Sequence, residues 1–399
     1  MRFLNGTLAL GTAVLAASVG PSAVAAPSPS GQAHRAVHVC GATPKGTARC
    51  HAEVVADAAG KPAASVTPTG YGPADLWSAY GLSPAKPSDT ANFSFAGKPI
   101  IAIVDAYDAP TAEKDLNVYR AQYGLGACTT ANGCFTKTGQ DSSRLPRTNA
   151  GWAQEISLDV DMASAICPTC RILLVEAKSA SFNDLGVAEN RAAALGAAVI
   201  SNSFGGSEFS GEVSADNQYF KPRSIPVTVS SGDDGYGVEY PAASANVIAV
   251  GGTSLTKSGG TWSESAWSGA GSGCSTYIAK PSWQTATTNC AKRAVADVSA
   301  IADPATGVAV YDSTSYQGSS GWMKFGGTSV AAPVVASIYA LAGPTSAPAA
   351  RLYGALGSSA LHDITIGTNG TCTITVLCNS GAGWDGPTGV GTPSSLSAF

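Results

Sequence analysis

From Val330 to Leu341 the chain reads Val-Ala-Ala-Pro-Val-Val-Ala-Ser-Ile-Tyr-Ala-Leu, apolar on every side of a helical turn. A helix without a polar face has to be enclosed, so the chain must build a core large enough to surround it. The rest of the sequence offers such a core. Ile100 to Val104 is a continuous apolar run with β-branched residues, which reads as a buried strand. A helix over Ala112–Tyr123 follows, with Leu116, Tyr119 and Tyr123 at helical spacing. Next come a strand at Arg171–Ala177, an alanine-rich helix at Asn183–Leu195, and strands at Ala198–Phe204, Ile225–Ser230 and Val247–Val250. Strands alternating with helices predict an α/β fold, a parallel sheet with helices on both faces. A short helix near Pro73–Gly81 opens this domain, and no internal repeat is present.

The beginning of the chain sets the expected compartment. Arg2, an apolar run from Leu8 to Val19, and Ala23-Val24-Ala25 read as a signal peptide over residues 1–25, cut after Ala25. Residues 26–69 are rich in Ala, Pro, Gly and Ser with little periodicity, and read as a short leader or propeptide-like segment. The main domain is expected over 70–399. A secreted chain with ten cysteines favours disulfides over zinc or redox chemistry. Close neighbours suggest five local bridges: Cys40–Cys50, Cys128–Cys134, Cys167–Cys170, Cys274–Cys290 and Cys372–Cys378. Charged residues make up 13% and the formal charge is −4, too weak and scattered to argue for nucleic acid or anionic membrane partners. No membrane association is expected once the signal is removed, and the chain is expected to be a monomer.

The candidate chemistry centres on Ser329, in Phe325-Gly326-Gly327-Thr328-Ser329-Val330, a tight glycine turn before the apolar helix. A serine hydroxyl attacks only when a base takes its proton, and histidine is the usual base. Three of the four histidines, His34, His38 and His51, fall in the expected leader, and His362 lies in a glycine-rich loop near the C-terminus. A carboxylate must then serve. Gly151–Ala163 reads as a helix in which Glu155 and Asp159, four apart, share one face beside Ile156, Val160 and Ala163. Two poorly solvated like charges cannot both ionise easily, so one pKa should rise. Asp161 is six residues from Glu155 and should point elsewhere. Asp233, in Ser231-Gly232-Asp233-Asp234-Gly235, ends a predicted parallel strand, the edge where α/β sheets bind ligands. Kept protonated, it could donate to an oxyanion.

Together these pieces resemble the sedolisins, the serine-carboxyl peptidases of the subtilisin-like clan. They are Glu155-x-x-x-Asp159, Ser231-Gly232-Asp233, Tyr240-Pro241-Ala242 before Val250-Gly251-Gly252-Thr253, Gly327-Thr328-Ser329, and the C-terminal Asp363-Ile364 with Gly381-Ala382-Gly383-Trp384-Asp385. The resemblance implies a subtilisin-like fold from about Gly70 onward and a secreted, acid-acting endopeptidase that works on polypeptides. It assigns Ser329 as nucleophile, Glu155 as general base, Asp159 as its orienting partner and Asp233 as oxyanion donor. It also implies one structural calcium ion, held by carboxylates of Asp363 and Asp385 and carbonyls of Ile364, Gly381 and Gly383. Substrate would pair with Ser203-Phe204-Gly205-Gly206. Glu155 must be ionised while Asp233 stays protonated, which sets an optimum below neutral. Two features depart from the family: residues 26–69 are too few for a long folded propeptide, and Phe325-Gly326 replaces the commoner Ser-Gly. A catalytically inactive binding protein on the same scaffold is the alternative, since fold does not guarantee function. Asp105, at the end of the first strand, could be a fourth carboxyl near the site, but a structural or substrate-edge role is the expectation, and a structural one for Asp297.

Overall fold

The computed structural model describes residues 1–3, 35–89, 93–141, 144–221 and 224–399. Of the described residues, 35–399 belong to one compact unit. Beyond Phe3, the expected signal peptide and its cut after Ala25 lie outside the described residues, as does His34. No helix among the described residues is long and apolar enough to cross a membrane.

The main elements, in chain order, are β1 (Arg35–His38), β2 (Arg49–Cys50), β3 (Glu53–Ala56), β4 (Ile100–Ala106), α1 (Ala112–Gln122), β5 (Phe135–Gly139), α2 (Ala150–Ile166), β6 (Arg171–Ala177), α3 (Phe182–Ala194), β7 (Val199–Asn202), β8 (Phe204–Ser207), β9 (Val227–Ser230), β10 (Glu239–Tyr240), β11 (Ile248–Ser258), β12 (Thr261–Ala266), β13 (Val298–Ile301), β14 (Val308–Tyr316), β15 (Ser319–Gly326) and α4 (Thr328–Ala342). The main sheet runs β12-β11-β9-β7-β4-β6-β5, and β13 also pairs with β11. Every pairing in it is parallel except β11 with β12.

Ile101, Ala102, Ile103 and Val104 are all fully buried, as a strand covered on both faces requires. The apolar helix sits where its composition demands. α4 packs on β7, β9, β11 and β13, α2 packs on α4 and β4, and α3 lies against β4 and β6. Val330, Val334, Val335 and Ile338 are fully buried, each contributing roughly 1.5–3 kcal/mol relative to exposure. The predicted strand over Ala198–Phe204 is split at Ser203, which releases β8 from the main sheet to face other partners.

The segment read as a leader is part of the same body. β1 and β3 join β15 and β14 in an antiparallel sheet of order β1-β3-β15-β14, and β2 adds to β8 in the order β10-β8-β2. No boundary separates residues 35–69 from the domain expected to begin at Gly70. All five expected disulfides are formed, and no cysteine is free among the described residues.

Candidate active site

β15 delivers the chain to Gly326 and Gly327, and α4 begins at Thr328. Gly327 has φ +95, a conformation that L side chains rarely adopt. A Cβ there would lie 1.9 Å from His51 O and 2.7 Å from Asp233 Oδ2, so only glycine fits. Ser329 is fully buried in the first turn of α4, whose N–H groups have no partner within the helix. Its hydroxyl reaches Ser203 O at 3.4 Å. Pro333 lacks an N–H and cannot bond the Ser329 carbonyl four residues back. The Ser203 hydroxyl oxygen lies 3.4 Å from that carbonyl.

α2 brings the two expected carboxyls to this point. Asn149 caps the helix by accepting from the N–H groups of Gly151 and Trp152, at 3.0 and 3.1 Å. Glu155 and Asp159 are both fully buried. Glu155 Oε2 accepts from the N–H of Ala52 at 2.8 Å, and Asp159 Oδ1 from the Ser203 hydroxyl at 2.8 Å. Glu155 Oε1 and Asp159 Oδ2 have no hydrogen-bond partner of ordinary geometry. Burial, then the charge of Asp159, pushes Glu155 well above the usual carboxylate range, while the nearby Ser329 hydroxyl and the Ala52 N–H act the other way. Burial, then Asp105, does the same to Asp159. Asp105 is thus a third carboxyl of this cluster. It is fully buried, both its oxygens lack partners, and burial and Glu155 push it up. Asp161 turns away, as expected, and accepts from the N–H of Tyr311 at 3.0 Å.

Asp233 faces the same space from the end of β9. Its Oδ1 accepts from the Thr328 N–H at 2.8 Å and the Thr328 hydroxyl at 2.7 Å, leaving the buried Oδ2 unpartnered. Burial raises it to about 6, against His51, Thr328 and Arg49, which favour the charged form. The structure therefore brings together Ser329, Glu155, Asp159 and Asp233.

Residues 48–52 lie across this cleft, an arrangement with no signal in the sequence. Arg49 and Cys50 pair antiparallel with Gly205 and Phe204, and the His51 N–H donates to Ser203 O at 3.2 Å. His51 is fully buried, its Nδ1 2.7 Å from Ser230 Oγ and its Nε2 2.9 Å from Glu239 Oε2. The neighbouring Glu53 is raised to about 8 by burial and by Asp233 and Asp234. His38, Glu53 and Asp233 offer ligand atoms within 4.8 Å of one another, an acidic group that could hold a metal ion. The short strands give no period to read, and Glu239 stands in the sequence only as the residue before Tyr240.

The expected calcium residues lie together on the C-terminal loop. Asp385 is fully buried and Ile364 nearly so. The N–H of Gly381 donates to Asp385 Oδ2 at 3.0 Å, and that of Gly383 to Asp363 Oδ2 at 2.9 Å. Burial raises Asp385 to about 7, and the charge of Asp363 adds to it. Two carboxylates in an all-oxygen donor set fit a hard cation.

The subtilase family profile matches residues 148–351, just over half of the chain. Sedolisin of Pseudomonas sp. (strain 101) is 28% identical over 376 residues, covering 84% of this chain and 61% of that protein. Kumamolisin of Bacillus sp. (strain MN-32) is 29% identical over 371 residues, covering 82% and 63%. The chain therefore spans less than two thirds of the length of these relatives. The solved structure of Pseudomonas sedolisin with two molecules of pseudo-iodotyrostatin superposes with a TM-score of 0.68 at 28% identity, covering 82% of this chain and 96% of that one. Sphericase, at 17% identity and a TM-score of 0.50, shares the fold. The buried serine at the start of an apolar helix, the carboxyls facing it and these matches lead to one assignment: the chain belongs to the subtilase family, in its sedolisin branch.

Proposed function

We propose that this chain is a serine-carboxyl endopeptidase that hydrolyses polypeptides at acid pH through an acyl-enzyme on Ser329. One observation carries the reading: the His51 carbonyl oxygen and the unpartnered Oδ2 of Asp233 both lie against Gly327, just before Ser329, while the next N–H, of Ala52, meets Glu155. In the proposed reaction Ser329 Oγ adds to a substrate carbonyl carbon and its proton passes to Glu155. The oxyanion accepts hydrogen bonds from protonated Asp233 and the Ser329 N–H. Collapse breaks the C–N bond, and Glu155 returns the proton to the leaving amine. Water, deprotonated by Glu155, then adds to the acyl carbon, and Glu155 returns that proton to Ser329 Oγ as the ester C–O bond breaks. Asp159 orients Glu155 and shares its proton load. The alkaline limit follows from Asp233, which stops donating once it ionises, near its raised value of about 6.

The same reading includes secretion and one structural calcium. Asp363 and Asp385, with carbonyls of Ile364, Gly381 and Gly383, would hold the ion, which supplies positive charge between the two carboxylates. The inactive-scaffold alternative draws on one observation, that residues 48–52 fill the cleft. A fluorophosphonate or peptide-aldehyde probe at pH 4 separates the two. Covalent labelling of wild-type protein at Ser329, and none of Ser329→Ala, is the expected result. Failure to label correctly folded wild-type protein would favour the inactive scaffold.

A further inference from the structure

Resting on that peptidase reading, we propose that Ser230 and Glu239 form the pocket for the residue whose carbonyl is attacked, and that this pocket selects peptides with histidine at that position. The chain supplies its own occupant. The backbone of residues 49–52 has the features expected of a bound substrate: antiparallel pairing to Gly205 and Phe204, the His51 N–H on Ser203 O, the His51 carbonyl against Gly327 as Asp233 Oδ2 also is, and the following N–H on Glu155. His51 therefore stands at the acyl position, and its side chain reports what the adjoining pocket accepts.

The pocket is built for an imidazole at both ends. Ser230 Oγ lies 2.7 Å from Nδ1, Glu239 Oε2 lies 2.9 Å from Nε2, and the His51 side chain is completely enclosed. Gly205 forms a wall, where a Cβ would fall 2.7 Å from His51 Cε1 and 2.5 Å from Glu239 Oε2. Burial, the largest single influence, acts to raise Glu239, but His51, Arg49 and His38 together outweigh it, so the carboxyl is held below its ordinary value. A phenylalanine or leucine side chain in this space would strand a charged carboxylate and a hydroxyl without partners, and sites built to hydrogen-bond a side chain reject analogues that cannot. Lysine and arginine are longer, and the imidazole already spans the distance to Glu239.

The test uses the full-length protein at pH 4 with quenched peptides that differ only in the residue before the cleaved bond: His, Phe, Leu, Lys or Glu. Mass spectrometry assigns the products. The His peptide is expected to exceed Phe and Leu by about 10–100-fold in kcat/KM, and Glu239→Leu to reverse that order. Equal rates, or an order unchanged by Glu239→Leu, overturn the proposal. A second measurement needs no turnover. In full-length Ser329→Ala protein, hydrogen exchange of the fragment around residues 47–55 reports how firmly His51 is held. Glu239→Leu should speed that exchange about tenfold, and His51→Leu should restore protection in the Glu239→Leu background while weakening it alone. Strictly additive effects overturn the pocket assignment. Coupling without any peptide cleavage would sink the peptidase reading and leave the histidine pocket standing.

Discussion

Two buried carboxyl sites, both without access to water, have opposite designs. Asp297 is fully buried, yet both its oxygens are committed: Arg293 Nη1 donates to Oδ1 at 2.8 Å, the Tyr353 hydroxyl donates to Oδ1 at 2.8 Å, and the Ala249 N–H donates to Oδ2 at 2.7 Å. Around Ser329, the carboxyls of Glu155, Asp159 and Asp105 accept no hydrogen bond from a cation among the described residues, and each keeps at least one unpartnered oxygen. A buried carboxyl with a cation and a full set of donors serves as a structural tie. Buried carboxyls that face one another must keep protons, and can therefore exchange them. The comparison separates a structural aspartate from chemically poised ones without reference to motif.

The contrast can be broken most directly by Glu155→Gln. Peptide cleavage should fall by about a thousandfold or more, because the variant retains size and burial but cannot take a proton. Its stability should move the other way. Glu155, Asp159 and Asp105 all have folded-state values raised above their unfolded ones, so the native cluster, even with Glu155 ionised for catalysis, holds protons that the unfolded chain releases. Native stability is therefore kept at pH below the ordinary carboxylate range and lost as pH rises from there toward the raised values. Wild-type Tm should fall between pH 4 and 8, and fall less in Glu155→Gln. An equal fall in both would mean that the burial of Glu155 has no titratable cost.

Arg293→Met probes the other site. It leaves Asp297 buried without its cation and should cost about 3–5 kcal/mol in urea denaturation. The acid-to-neutral activity profile of the surviving folded fraction should stay unchanged, and a shifted profile would contradict the separation. Asp385 is the intermediate case, a buried carboxyl with N–H and hydroxyl donors but no side-chain cation among the described residues. Chelation should lower Tm at neutral pH by the equivalent of about 3 kcal/mol at a hundredfold calcium excess over Kd, and readded calcium should restore it. No change on chelation would argue against the ion.

Much of this is legible in the residues. The apolar run after Ser329 requires an enclosed helix, and the β-branched runs at 100–104 and 171–177 require strands covered on both faces. The spacing of Glu155 and Asp159 places them on one helical face beside an apolar flank, and both are buried there. What cannot be read depends on partners far away in the chain. β3 gains its place from β15, near the opposite end of the domain, and four residues of ordinary composition carry no mark of that pairing. His51 reads as part of a leader because its surroundings lack periodicity, yet its significance comes from Ser230 and Glu239. Asp105 reads first as a structural or edge residue, with a fourth carboxyl near the site as the alternative, because nothing local reveals that Glu155 lies near it.

The segment in the cleft is pinned on both sides of one bond. Cys50 is tied to Cys40 and paired to β8, while Ala52 runs directly into β3, locked against β15. Were the 51–52 link to be opened, neither new end could diffuse away, and the freed amine would stay beside Glu155. Rejoining would then compete with departure at a very high effective concentration. Such a plug would behave as a latch that can be cut and resealed many times before it is finally lost.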